Sequence, residues 1–378
     1  MSTLAHRTPG GAQTRSKQHA VFGGPPFPQT LAEVHGAYTW DDAGRKYIDW
    51  MSALASVGLG HGHPDVTFAV EQAIRLGHSL SLPSRLEYEV ADQLCEALKW
   101  PDQVRWVKTG SEATAAAMMI ARRATGRKKI VSIGYHGWHE CHSPSEYLVD
   151  VPWGTGHPRY ETEGPLTRVV DATVAAVLLE PMRDYEQTHH GVPVGQYVRD
   201  IQLLCRMHGA LLILDEMVTG FRWAIGGASE YLGIQPDLAC YGKAMANGYP
   251  LACVVGSKRL MKHAHDVSST FGGELVGLAA AKATLEVYRK EPVIERLWEV
   301  GRRLMAGVPE LRGYPVHPVL EGTKDWTSSE SNIPVVQALA QRGHLVHPAG
   351  INVTYAHTDA DADQLVTSMN EVLRDIRG

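Results

Sequence analysis

At 378 residues the chain exceeds what one hydrophobic core usually organises, so a large domain and a smaller one are expected. Hydrophobic residues at 44% supply both cores, while a formal charge of −5 without any Lys/Arg run excludes a basic field for nucleic acid. No apolar run reaches membrane-spanning length, and the polar stretch from Met1 to Gln18 lacks a signal-peptide core, so small-molecule chemistry in the cytoplasm is expected. Cys95, Cys141, Cys205, Cys240 and Cys253 form no Cys-x-x-Cys pair, and three lie in or beside apolar segments, which predicts buried free thiols rather than disulfides.

In chain order, Pro9-Gly-Gly11 and Gly23-Gly-Pro-Pro26 mark residues 1 to about 30 as an irregular arm. Two β-rich runs flank Asp41-Asp-Ala-Gly44 and predict a hairpin. Helical spacing follows over Asp65–Gly77 and Leu86–Leu98. Gln103–Lys108 alternates like a strand and opens into Thr109-Gly-Ser-Glu and an alanine-rich helix. A strand, a glycine and a helix amino terminus form an anion site, although a Thr/Ser residue there is most often only a cap. Lys129–Ile133 is a short strand leading into Gly134-Tyr-His-Gly-Trp-His-Glu-Cys-His142. The crowded His136, His139, Cys141 and His142 invite a zinc reading, but they lack the two-pair spacing of structural sites. An aromatic loop laying Tyr135 on a flat cofactor is preferred, and no metal is assigned.

Val174–Leu179 is a buried strand ending at Glu180-Pro181, where the acid reads equally as a helix-flank charge or a site residue. The helix Val198–His208 closes at Gly209, and the apolar run Ala210–Leu214 ends in Asp215. Leu238–Tyr241 is the next strand, followed by Lys243 in a loop of small residues, a setting that predicts a desolvated amine. An acid and a lysine ending neighbouring strands suit pyridoxal phosphate chemistry, in which a lysine holds the cofactor as an imine and an Asp faces the pyridine nitrogen. A plain ion pair between the two is the equal alternative. Leu251–Val255 is a strand and Leu275–Tyr288 a helix beyond the glycine-rich loop Ser268–Glu274. Strand and helix alternate from about 104 to 256, so a parallel sheet is expected.

Taken together, Thr109-Gly-Ser-Glu-Ala-Thr114, Tyr135-His-Gly137, Glu180-Pro181, Asp215-Glu-Met-Val-Thr-Gly-Phe-Arg222, Gly242-Lys243 and Ser269-Thr270 resemble the class III pyridoxal-phosphate aminotransferases. The nearest branch is glutamate-1-semialdehyde 2,1-aminomutase, and the resemblance runs over nearly the whole chain. It implies an α/β, fold-type I homodimer whose large domain has a mostly parallel central sheet beside a smaller α/β domain. The expected division is residues 1–50 for the arm and part of the small domain, 51–274 for the large domain and 275–378 for the rest of the small one. The resemblance further implies Lys243 as imine lysine and carrier of a 1,3-proton transfer, Asp215 on the ring nitrogen, Tyr135 stacked on the ring and Met217 on its other side. Thr109, Gly110 and Ser111 would hold the phosphate, Thr270 would reach it from the partner subunit, and His136 and Glu180 would complete the cofactor surroundings.

The departures concern substrate. Where the branch has an arginine for the substrate carboxylate, this chain has Lys17, which keeps the charge without the bidentate fork. A pocket tryptophan becomes Leu54, the loop after Glu180-Pro181 carries Arg183 and Tyr185, and the stretch after Thr270 includes Glu274. Transamination between an amino acid donor and a keto or aldehyde acceptor is therefore expected. The alternatives are an intramolecular aminomutase and, from another class, a zinc-dependent hydrolase using the His136–His142 cluster.

Overall fold

The hairpin forms where the turn residues place it: β2 (Tyr38–Asp41) pairs antiparallel with β3 (Lys46–Asp49), and Asp41 Oδ1 accepts from the amides of Ala43 and Arg45. The computed structural model describes residues 7–153, 165–181, 192–320 and 332–377. The chain divides into two units: residues up to His63 together with those from Glu295 onward, and Pro64–Ile294 between them. Residues 51–63 therefore go with the smaller unit, and the helix Leu275–Lys290 with the larger, where it packs on the helices Pro64–Leu76 and Arg85–Leu98.

In the smaller unit β1 (Leu31–His35) joins the hairpin's outer side. The irregular arm is anchored there, because Phe22 and Phe27 stack at 4.1 Å and are buried with Tyr47, Ala340 and Leu345.

The larger unit is built on a seven-stranded sheet. Its strands are β4 (Gln103–Val107), β5 (Lys129–Ile133), β6 (Leu148–Asp150), β7 (Val174–Leu179), β8 (Leu211–Asp215), β9 (Leu238–Tyr241) and β10 (Ala252–Gly256), in the order β4-β10-β9-β8-β7-β5-β6. Helices cover both faces, so the central strands β7, β8, β9 and β10 are buried along their whole length, whereas the edge strand β4 is only partly buried. Leu212 and Leu214 bury against Val198 and Ile201 of the helix Val194–His208, whereas Ile213 packs on the other face with Ala113 and Ala117 of Gly110–Thr125. Each such side chain contributes about 1.5–3 kcal/mol on burial.

Six of the seven strands run the same way. The exception is β10, antiparallel to both β4 and β9. The link from β9 is only a 3₁₀ turn and a few residues, too short for the helical crossover that a parallel neighbour requires.

The carboxyl-terminal part completes the smaller unit. β11 (Leu311–Tyr314) and β12 (His317–Leu320) form a hairpin, and β13 (His344–Leu345) adds to β3 in parallel, giving a sheet ordered β1-β2-β3-β13. Among the described residues no helix is long and apolar enough to cross a membrane. All five cysteines are free thiols, three of them buried.

Candidate active site

Because β10 runs against both β4 and β9, the carboxyl ends of β4, β5, β7, β8 and β9 meet at one edge of the sheet. That edge is where open α/β sheets hold ligands. The residues just beyond it are Thr109–Ser111, Tyr135 and His136, Glu180, Asp215–Met217 and Lys243.

Asp215 ends β8 opposite Cys240 of β9 and is buried. Its Oδ2 lies 2.8 Å from His136 Nδ1, and its Oδ1 accepts from the Met217 amide at 3.1 Å. His136 Nε2 donates to the carbonyl of Ile133 at 3.1 Å. The ring thus bridges the Asp215 carboxyl and the Ile133 carbonyl. The anticipated partner of Asp215 was a lysine or a cofactor; the structure supplies a histidine from the next loop but one.

Lys243 follows three residues after Cys240 and opens the 3₁₀ turn Lys243–Ala246 with φ +46°. A left-handed lysine costs roughly 1–2 kcal/mol and persists only where its surroundings dictate it. Those surroundings are tight: a Cβ on Gly242 would stand 2.8 Å from Met217 Sδ, and Ala244, Met245 and Ala246 are buried. Lys243 itself is half-buried, so the predicted desolvation holds for the loop more than for the side chain.

Thr109 caps the 16-residue helix Gly110–Thr125 through a capping box with Glu112. The cap reading is thus correct, and it leaves the anion reading intact, since the first-turn amides of Gly110 and Ser111 have no intrahelical acceptor by position. The β5 loop packs on this terminus: a Cβ on Gly137 would lie 2.3 Å from Ser111 Oγ, and Ser111 Oγ accepts from the Trp138 amide at 3.3 Å. Met217 stands under the same turn, its Sδ 3.0 Å from where a Gly110 Cβ would be.

Glu180 is half-buried, its Oε2 accepting from the Tyr135 amide at 3.4 Å, while the Tyr135 side chain is 69% exposed. Thr270 is exposed in the loop before Leu275. Glu274 has a different use from the substrate contact expected of it. It caps the helix Leu275–Lys290 by accepting from the amides of Val276 and Gly277, both at 2.7 Å, and pairs with Lys108 Nζ at 2.6 Å. Its charge is consumed by the fold. Lys17 and Leu54 belong to the smaller unit. Lys17 is exposed on the turn Arg15–Lys17, and Leu54 lies in a left-handed turn, Ser52–Ala55, whose four φ values run from +47° to +65°. Asp49, Ser52 and Asn352 hold that turn by hydrogen bonds to Met51, Ser52 and one another. Arg183 and Tyr185 lie outside the described residues.

One residue of this edge escaped the sequence reading. Glu216, fully buried, accepts from the amides of Ala228 and Ser229, each at 2.8 Å, and from the Thr219 hydroxyl, so it pins the 216–229 loop behind Asp215. Burial pushes its carboxyl up from the ordinary range. Strand alternation pointed to it, because the neighbour of an inward-facing Asp215 must face the opposite way.

The family model for class III aminotransferases matches residues 23–142 and 161–373. The chain belongs to the class III aminotransferases. A glutamate-1-semialdehyde 2,1-aminomutase of Syntrophobacter fumaroxidans is 32% identical over 338 residues, covering 82% of this chain and 76% of that one. The FumI protein of Sphingopyxis sp. MTA144, solved as its pyridoxal-phosphate internal aldimine, shares 27% identity and the fold at a TM-score of 0.87, over 99% of this chain and 97% of that one. An omega-transaminase from Sphaerobacter thermophilus matches at a TM-score of 0.84 with 24% identity, covering 99% of this chain and 96% of that one. The protein is thus a fold-type I, pyridoxal-phosphate-dependent aminotransferase acting on small molecules. The residues present fit that cofactor. A glycine-opened helix terminus suits its phosphate, a buried carboxylate oriented by His136 suits its ring nitrogen, and the lysine just beyond the next strand suits its aldehyde carbon.

Proposed function

We propose that this aminotransferase moves an amino group from an amino acid donor to a keto or aldehyde acceptor, with Lys243 carrying the proton. The observation that supports this most is the buried Asp215–His136 pair on the strand next to the one that leads into Lys243. Bound pyridoxal phosphate supplies an electron sink at its ring nitrogen. Asp215 keeps a proton at that nitrogen, and His136 and the Met217 amide orient Asp215. The Gly110 and Ser111 amides, with Thr109 beside them, would hold the phosphate, and Tyr135 and Met217 would line the ring, while Glu180 fixes the Tyr135 backbone. The Lys243 amine would take the proton from the donor's amine-bearing carbon and pass it to the cofactor's former aldehyde carbon, and the return half-reaction would run that transfer in reverse.

Substrate selection falls to Lys17, Leu54, Arg183 and Tyr185. The restrained left-handed turn supports Leu54, since strain of that kind gathers at working positions. The intramolecular aminomutase is the second reading, favoured by the 32%-identical relative. An amino donor given alone, without acceptor, separates the two: transamination releases one free carbonyl product per active site. Absence of that stoichiometric product across a donor panel, with isomerisation of a single amino aldehyde, would overturn the transaminase reading.

The active unit in this proposal is a homodimer in which Thr270 completes the phosphate site of the partner. The surface around Thr270 supports it. Leu80, Leu82, Tyr88 and Phe271 are all exposed, and the Thr270 loop meets the 78–87 segment through Leu275 N to His78 O and through Gly273 beside Glu87. Five free thiols accord with a reducing, cytoplasmic location.

A further inference from the structure

We propose that His139, Cys141 and His142 form a binding site for a thiophilic divalent transition-metal ion, zinc by its chemistry. The crowding that argued against a metal in the sequence resolves in three dimensions. His136 turns away to Asp215, while the other three converge on one 3₁₀ turn, Glu140–His142, with all their donor atoms within 4.8 Å of one another. Among the described residues no other group of His, Cys, Asp and Glu side chains converges in this way.

The decisive detail is the second nitrogen of His142. Its Nε2 lies 2.9 Å from Thr114 Oγ1, a hydroxyl whose single proton also faces the carbonyls of His136 at 2.6 Å, Gly110 at 3.0 Å and Ser111 at 3.3 Å. Carbonyls can only accept, so this arrangement favours the His142 tautomer that carries its proton on Nε2 and meets a Thr114 lone pair. The unprotonated Nδ1 is left facing Cys141 Sγ at 3.8 Å. A metal-binding histidine is commonly held this way, its far N–H fixed by a neighbour so that the near nitrogen presents a lone pair. Around tetrahedral zinc, with Zn–S about 2.3 Å and Zn–N about 2.0 Å, donor atoms stand roughly 3.3–3.6 Å apart. The Cys141–His142 pair is already close to that spacing, and the widest pair needs to close by about 1 Å, within reach of a side-chain rotation.

All three residues are half-buried, so an ion can enter from solvent and a fourth position stays open to water. On binding, the Cys141 thiol proton passes to solvent as the sulfur–metal bond forms. The three ligands are not themselves cofactor residues, although Thr114 joins His142 to the His136 carbonyl, and the proposal does not depend on the transamination reading.

The test uses holoenzyme stripped of metal by a chelator and then titrated with zinc chloride alone by calorimetry, and with cobalt(II) chloride alone by visible absorption. One ion per chain at micromolar Kd or tighter is expected, with the intense long-wavelength bands of four-coordinate cobalt. Cys141→Ser should weaken zinc binding at least 100-fold, and Thr114→Val, which frees the His142 tautomer, by about 10–100-fold, each with unchanged circular dichroism. Should Thr114→Val misfold, His139→Ala is the substitute and should lose at least tenfold. Failure to bind either ion at micromolar concentration, or binding unaltered in Cys141→Ser and His139→Ala, overturns the proposal.

Discussion

Asp215 shows where sequence reasoning stops at the scale of one residue. An acid ending an apolar run had to be buried and had to have a partner, and both inferences hold. Which partner depended on how the β5 loop closes back over β8, and no local pattern encodes that. The same is true of Glu274, whose isolated charge in a glycine-rich loop resembled a substrate contact until its helix cap and its pair with Lys108 became visible. The Asp215–His136 pair makes a direct prediction. His136→Phe keeps the bulk and removes the hydrogen-bonding ring, leaving the buried Asp215 carboxyl without that partner, at a cost of about 3 kcal/mol. His136→Asn keeps one neutral donor and should cost about 1–3 kcal/mol. Denaturant unfolding of the two variants measures the difference; equal midpoints for His136→Phe and the parent would show that the ring does not hold Asp215.

At the scale of elements, the helices were legible because their signals are local. Alanine content marked Gly110–Thr125, and Thr109 with Glu112 three residues on marked its start. Strand positions were legible for the same reason, but the direction of β10 was not, since periodicity carries no sense of direction and only the length of the β9–β10 link decides it. Loop closure over the phosphate-type turn is likewise a tertiary matter, and two glycines distinguish its parts. Gly110 has an ordinary φ, and an added Cβ would meet the yielding Met217 thioether at 3.0 Å. Gly137 has φ +128°, and its Cβ would press on Ser111 at 2.3 Å to Oγ and 2.7 Å to Cβ. Gly110→Ala should therefore change cofactor affinity by less than about threefold, a cost below roughly 1 kcal/mol. Gly137→Ala should weaken it by at least tenfold, because the loop must lift off the helix terminus. Equilibrium titration of the apoenzyme with pyridoxal phosphate checks both, and equal affinities would mean that this loop does not shape the phosphate site.

For the whole molecule, buried groups shifted in opposite senses contribute opposite responses to acid. In the smaller unit Trp50 stacks on His357 at 3.9 Å and reaches His344 Nδ1 at 3.4 Å, and His357 Nδ1 accepts from the Thr354 amide at 2.8 Å. Burial holds both rings down at about 4. A histidine held below its ordinary value stabilises the fold above pH 6.5, and that stability is lost as pH falls toward 4, by up to roughly 3 kcal/mol for each ring. In the larger unit burial raises Glu216, so lowering the pH through its titration favours the folded form. Denaturation at pH 4.5 should therefore show the smaller unit failing first, and His344→Gln with His357→Gln should flatten the pH dependence; a single transition with unchanged pH slope in that variant would contradict this. Subunit mixing tests the dimer. Lys243→Ala and Thr270→Ala chains, each impaired alone, should regain one working site per mixed dimer if Thr270 serves its neighbour, and no gain over the Thr270→Ala protein would assign Thr270 to its own subunit.

The pairing of β3 with β13, Ile48 beside His344 and Asp49 beside Leu345, ties the beginning of the chain to its last stretch. During translation the larger unit's sequence emerges complete while β3 still lacks that neighbour, and its edge stays open until the final part of the chain leaves the ribosome. A polypeptide interrupted before His344 would leave that side of β3 unpaired, an open edge for association with another chain.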